Sequence, residues 1–256
     1  MSSVHLVVAL LTVGATHAAP HQPCAGPASI PAAPVLSIEK SGAIVLANKQ
    51  TVHLEGIRLP NGALDRAPVD YSARARAEIN LVARAHALTL QVVAPARDRY
   101  GRLRAQAFSH AGWLQGELLR QGLARVALAP DRTECAGELY AAEAEARQAR
   151  RGLWSIAAYA IREPEDLWPD IGTFQVVEGK VLNASSKNGR AYLNFGSDWR
   201  RDFTVTVDPG DMINFRTAGV DPLSYVGQTI RVRGWVQLLH GPEIEVANPQ
   251  SIEVVR

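Results

Sequence analysis

From about residue 35 the chain alternates apolar and polar positions in short runs broken by turn formers, the period-two pattern of half-buried strands. Ala43-Ile44-Val45-Leu46, the polar turn Asn48-Lys49-Gln50 and Val52-His53-Leu54-Glu55-Gly56-Ile57 read as a hairpin. The period then lengthens: Tyr71, Ala75, Ile79 and Val82 recur at steps of three and four, which predicts a helix over about 68–87 with that face inward. Leu88–Val93 returns to strand, and a tight turn at Gly101 separates that sheet element from one starting at Arg102. A short helix follows, stopped by Gly122 as a left-handed cap, and Leu123–Val126 begins another strand. In the helix expected over 134–151, Cys135, Leu139, Ala142, Ala146 and Ala149 repeat along one face; Gly152 caps it and Leu153-Trp154 fold back as an anchor.

Beyond Phe174 the pattern is nearly all strand. Phe174–Leu182 and Arg190–Gly196 flank Asn188-Gly189, a strong hairpin signal, because both residues readily take the left-handed backbone that such turns need. Asp202–Val207 makes a third strand, a helical connector occupies about 211–225, and Gln228–Val236 and 243–255 complete the set. Three strands, a connector and two more strands resemble an oligonucleotide/oligosaccharide-binding (OB) barrel. The stretch 156–172, with Pro164, Pro169 and charges of both signs, reads as a linker short enough for the halves to pack together.

Hydrophobic residues at 47% and charged residues at 20% place the chain among globular proteins and exclude a disordered one. The net charge of +2 names no partner, but its distribution is uneven: residues 39–151 carry 17 Lys/Arg against 12 Asp/Glu, and residues 162–256 carry 10 against 13. The first half is therefore the better electrostatic surface for nucleic acid. Residues 6–15 form an apolar run too short to span a bilayer, and the small residues ending at Ala18-Ala19 complete a secretory signal pattern, although residues 1–5 lack Lys or Arg. The expectation is signal peptide 1–18, a flexible Pro/Ala-rich leader 19–34, export to the periplasm or medium, and no membrane anchor after cleavage. Cys24 falls in the leader and Cys135 on a helix. Export would let them close a long loop, while a small buried apolar residue is the simpler reading of Cys135; whether they pair stays open. No His/Cys group has zinc spacing.

Tyr100-Gly101-Arg102, then Leu118-Leu119-Arg120-Gln121-Gly122-Leu123-Ala124, Glu143-Ala144-Glu145-Ala146-Arg147 and Arg151-Gly152-Leu153-Trp154 together resemble the staphylococcal-nuclease-like (thermonuclease) family over about residues 35–155. The resemblance implies a five-stranded OB-type barrel with packed helices and a calcium-dependent phosphodiesterase site. The expected fold is therefore mainly β with helices: two small OB-type β-barrels, the first (35–155) nuclease-like, the second over 173–256.

In the family the site combines an Asp-Gly-Asp-Thr run, two arginines and an Asp-x-Pro-Glu run. The carboxylates hold a hard cation, the glutamate handles the attacking water, and the arginines meet charge on phosphate oxygens. Anchored on Gly56-Ile57 and Pro60, the resemblance puts Lys40-Ser41-Gly42-Ala43 on the first run, His53 on the first arginine, Arg58 on the second metal aspartate and Asn61 on the glutamate, and only Arg102 is retained. The expectation is no catalytic residues, no metal and no cofactor, with calcium relevant only if the family site functioned. Arg102, Arg58 and His53 are the candidate phosphate or anion pocket; the alternative has Arg102 bracing its turn and Arg58 reaching solvent. Arg97, Arg99 and Arg104, with Tyr192, Trp199, Arg200 and Arg201 of the second barrel, are candidate nucleic-acid contacts, unless Tyr192, Phe195 and Trp235 simply fill a core. The leading function is non-catalytic binding of single-stranded nucleic acid or another polyanion. A metal-dependent nuclease with a rearranged site and an envelope protein-interaction module are the alternatives.

Overall fold

The computed structural model describes residue 24, residues 26–67 and residues 70–255. The expected signal segment and the first residues of the expected helix over 68–87 lie outside the described residues. The first half contains β1 (Ala28–Pro31), β2 (Val35–Ile38), β3 (Ile44–Leu46), β4 (Thr51–Leu54), β5 (Ile57–Arg58), α1 (Ser72–Ala85), β6 (Thr89–Val92), β7 (Leu103–Ser109), β8 (Gly112–Trp113), α2 (Leu114–Arg120), β9 (Arg125–Val126) and α3 (Ala136–Gln148). Its sheet runs β1-β6-β7-β4-β3-β2, with β4 and β7 parallel. Only residues 32–34 separate β1 from β2, and the Ala32 amide still donates to the Leu88 carbonyl, so the path of hydrogen bonds that leaves at β2 returns at β1. Ala28–Pro31, expected as part of a flexible leader, is thus a paired strand. The alternation signal was missing there because all four residues are exposed, leaving no inward face to mark.

The second half contains β10 (Phe174–Lys180), β11 (Asn183–Lys187), β12 (Arg190–Asn194), β13 (Thr204–Val207), α4 (Met212–Thr217), β14 (Thr229–Trp235), β15 (Gln237–Leu239), β16 (Gly241–Glu245) and β17 (Ile252–Val254). β11, β12, β13, β16 and β15 form one sheet, β10, β14 and β17 another. Val236 alone separates β14 from β15, and residues 181–182 separate β10 from β11. The circuit therefore closes through the chain itself. Its third and fifth members, β13 and β16, are parallel, as β4 and β7 are in the first half. Both halves repeat one OB-type circuit. The single strand expected over 243–255 is split between β16 and β17 by a turn at Pro249–Ser251, whose ring nitrogen has no proton for a ladder.

Each circuit encloses its own core. Leu46, Val52, Ile79, Leu90, Leu118 and Leu139 belong to the first, and Leu193, Phe203, Val205, Phe215, Val232 and Ile244 to the second. The helices bury the expected small and branched residues, but α1 turns Ala75, Ile79 and Ala83 inward, so Tyr71 and Val82 lie at the edge of its face. α2 ends where Gly122 takes φ +67, with its backbone so close to Gly152 that a Cβ would stand 2.2 Å from the Arg151 carbonyl oxygen. That contact, together with the Leu153 amide donating to the Gly122 carbonyl at 2.9 Å, pins the end of α3 to the end of α2. The expected linker is a chain of short 3-10 turns around buried Tyr159 and Leu167, which places the second barrel against β5, β9 and α3 of the first.

Candidate functional site

The candidate site grows from the edge of the first barrel. β4 alternates, Val52 and Leu54 buried and His53 outward, and the Gly56 turn brings Arg58 opposite Arg125 in the β5·β9 pair. Two adjacent arginines need an anion, and Asp65 supplies it. The Asp65 carboxylate accepts from Arg58 Nη2 at 3.0 Å, from the Asn61 amide at 2.8 Å and from Tyr159 Oη at 3.2 Å. Arg125 Nη2 stands 3.2 Å from the same carboxylate at an angle that makes an ion pair but no hydrogen bond. Arg125 is 1% exposed and donates to the Phe174 carbonyl of the second barrel at 2.8 Å. Burial lowers its pKa to about 10, Asp65 opposing that shift and Arg58 adding to it.

Arg58 is only partly exposed and does not project freely into solvent. Its guanidinium lies 4.7 Å from the ring centre of Trp235 and 5.6 Å from that of Phe174, so the side chain bolts β5 to β10 and β14. Trp235 is accordingly not a core residue; it is 41% exposed at the junction, whereas Phe195 is buried.

Gly42, His53, Arg58 and Asn61 line one cleft of about 690 Å³ between the barrels, together with Lys40 and Ser41 and, from the second barrel, Trp235, Gln237, Glu245 and Asn248. The resemblance thus brought four of its five positions together. His53 is half-buried; loss of hydration lowers its pKa, Arg102 and Arg104 add to this, and Glu55 and Asp98 oppose it. That shift disfavours the charged imidazole, so a contact from His53 to an anion in this cleft would be a hydrogen bond from its N–H. On the far wall burial, then Asp208, raises the carboxyl pKa values of both Asp211 and Glu245. A polyanion entering the cleft would meet acids on that side.

Arg102 sits instead on the hairpin tip before β7. Asp98 accepts from the Tyr100 amide at 2.9 Å, the Arg102 amide at 3.0 Å and Arg102 Nε at 2.7 Å, with Gly101 at φ +77 closing the turn. Partial burial works against charge on Asp98, but the bonds from Arg102 and Tyr100 outweigh it and keep its carboxyl below the usual range. Arg102 therefore braces its turn, as the alternative reading had it, while its side chain remains 31% exposed. The tip also carries a residue that the charge pattern did not single out. Tyr100 is 72% exposed, with the Arg99 and Arg102 guanidinium carbons 5.6 and 5.3 Å from its ring centre. Arg97 is exposed beside it and donates to the Gly101 carbonyl. Arg104 is excluded from this surface: it is 9% exposed and bonded to Glu55 at 2.6 Å and to both oxygens of Asp131 at 2.7 and 3.0 Å.

In the second barrel the alternate positions Asn183, Ser185 and Lys187 on β11 and Tyr192 and Asn194 on β12 face outward across their ladder. They line a groove of about 400 Å³ with Trp199 and His240 at one end. Trp199 is 51% exposed and meets His240 edge-on at 5.3 Å, and the Arg200 guanidinium lies 4.8 Å from its ring centre. Arg201 is exposed next to it, and its carbonyl accepts from Trp168 Nε1.

A five-strand circuit with a parallel third and fifth pair, carrying three helices and a basic hairpin tip, is consistent with an OB-type fold for the first half. The family model described as staphylococcal nuclease homologue matches residues 51–156, and that segment is a staphylococcal-nuclease-like domain. The match begins after β3, so the turn at Lys40–Gly42 lies before it, although β1 to β3 complete the same sheet. No curated protein matches the chain.

Proposed function

We propose that the chain is a nuclease-like protein that holds single-stranded nucleic acid without cleaving it through the family's calcium chemistry. The donor set at the family's metal positions does not fit a hard cation. Such an ion takes several carboxylate and carbonyl oxygens, and the groups at these positions are the Lys40 ammonium, the Ser41 hydroxyl, the His53 imidazole, the Arg58 guanidinium and the Asn61 carboxamide. Each added positive charge near 4 Å opposes a cation by about 1 to 4 kcal/mol per unit charge, depending on solvent access. Arg58, held by Asp65 and Trp235, serves the junction between the barrels.

The observation that carries the binding reading is a repeated surface element: each barrel carries, on a loop away from the junction, an exposed large ring with an arginine beside it, Tyr100 with Arg99 and Arg102, and Trp199 with Arg200. An exposed ring stacks a base of any sequence, and the adjacent guanidinium answers the phosphate. The reading extends the nucleic-acid contacts from Arg97, Arg99 and Arg102 in the first barrel to Tyr192, Trp199, Arg200 and Arg201 in the second. It also proposes export, on the apolar run of residues 6–15 and the small residues before Ala19. Among the described residues no helix is long and apolar enough to cross a membrane.

Anisotropy of labelled single-stranded DNA and RNA with Tyr100→Ala and Trp199→Ala tests the binding surface. Each loss of a stacking ring weakens binding by roughly 5- to 150-fold, the range of one base–aromatic stack. Wild-type affinity in both variants would reject the surface.

A further inference from the structure

The two cysteines, 111 positions apart in sequence, meet in the fold. Cys24 and Cys135 line the same cavity, of about 350 Å³ and bounded by Glu55, Arg104, Arg132 and Glu138, and pack on the same core. Both are half-buried free thiols. Cys135 directly precedes α3, and Cys24 directly precedes the segment that enters β1. That segment is seated: a Cβ on Gly26 would stand 2.9 Å from the Val92 carbonyl oxygen. β1 itself is exposed along its whole length and, among the described residues, pairs as a strand with β6 alone, through four residue pairs. The strand that closes the barrel is therefore the least buried of its sheet, and the cysteine pair stands where a cross-link would tie its entry to α3.

We infer that Cys24 and Cys135 form a disulfide that fastens β1 and closes the first barrel. The oxidant is a disulfide of a small thiol or of a thiol-oxidising protein. One cysteine sulfur attacks it, forming a mixed disulfide and releasing one thiol. The second cysteine sulfur then displaces the other thiol, so the S–S bond of the oxidant is reduced to two S–H groups as the Cys24–Cys135 bond forms. The contact with Cys135, followed by burial and the nearby Glu138 charge, raises the pKa of the Cys24 thiol well above its ordinary value.

The test equilibrates the folded chain with oxidised glutathione and reads intact mass, thiol count after denaturation, and a non-reduced peptide map. The expected product has lost two hydrogens, has no titratable thiol, and yields one cross-linked peptide containing Cys24 and Cys135. Closing a loop of about 110 residues restricts the unfolded chain, so reduction lowers Tm by on the order of 10 °C and exposes β1 to protease. Cys24→Ser and Cys135→Ser should each match the reduced wild type and show no response to reductant. Two free thiols, stable glutathione adducts on each cysteine, or disulfide-linked dimers as the product would overturn the inference. So would a cross-linked protein whose Tm and protease sensitivity are unchanged by reduction, since the bond would then fasten nothing.

Discussion

The junction between the barrels contains a buried ion pair whose removal has a calculable cost. Glu143 on α3 and Arg233 on β14 are 0% and 2% exposed and meet at 2.6 Å. Glu143 also accepts from the Val126 amide at 2.7 Å and from Arg147 at 3.4 Å, while Arg233 pairs with Glu253 and lies over the Tyr140 ring at 4.3 Å. At an effective dielectric near 20 such a pair is worth about 4 kcal/mol of attraction, most of it set against the loss of hydration. Removing one partner leaves the other buried without its main counter-charge. Arg233→Met leaves Glu143 with Arg147 and an amide and costs about 3 kcal/mol; Glu143→Gln keeps the bond to Val126 and costs about 2 kcal/mol. The double variant should cost less than the sum, with a coupling of about 2 kcal/mol. Urea unfolding followed by tryptophan fluorescence and far-UV circular dichroism measures all three. Because the pair ties the two cores, Arg233→Met should also split a shared transition into two. A coupling below about 0.5 kcal/mol with coincident transitions would refute the claim that this pair joins the barrels.

Three further outcomes follow from the same geometry. Asp65→Ala strips the counter-charge from Arg58 and Arg125 together and should cost about 3 to 5 kcal/mol by urea unfolding, whereas Asp65→Asn, which keeps the shape, should cost less. His53 has a folded pKa below its ordinary value of about 6.5, so its contribution is present above that value and is lost as pH falls through it toward the folded pKa; His53→Gln should flatten that limb of the stability–pH curve, and NMR should show the imidazole titrating below 6.5. Arg104→Met leaves buried Glu55 unpaired and should destabilise the chain without weakening nucleic-acid binding, which separates it from Arg99 and Arg102.

Element type was legible wherever one face of a segment is buried. Period-two runs marked β3, β4 and β12, and the steps of three and four marked α1 and α3; Asn188-Gly189 marked the turn before β12, but the strand paired there is the mostly exposed β11, not the expected strand over 174–182, whose β10 pairs with β14. β1 was illegible because nothing in Ala28-Ser-Ile-Pro31 faces inward; its strand character comes from Thr89–Val92 across the ladder. The clustering of Gly42, His53, Arg58 and Asn61 was legible through the resemblance, but the fate of the charges was not. Arg58 and Arg104 read as surface cations because their partners Asp65, Trp235, Glu55 and Asp131 come from other elements and, for Trp235, from the other barrel. Tyr100 went unselected because the turn at Gly101 was read for its arginines, and the exposure of the ring between Arg99 and Arg102 shows only in the folded chain.

The central claim is binding without calcium-assisted cleavage, and incubation of end-labelled single-stranded DNA and RNA with the purified chain, in calcium and in chelator, tests it most directly. The account predicts intact strands after prolonged incubation in both buffers and a complex that weakens as salt rises. Strand cleavage that requires calcium and stops with chelator would contradict it.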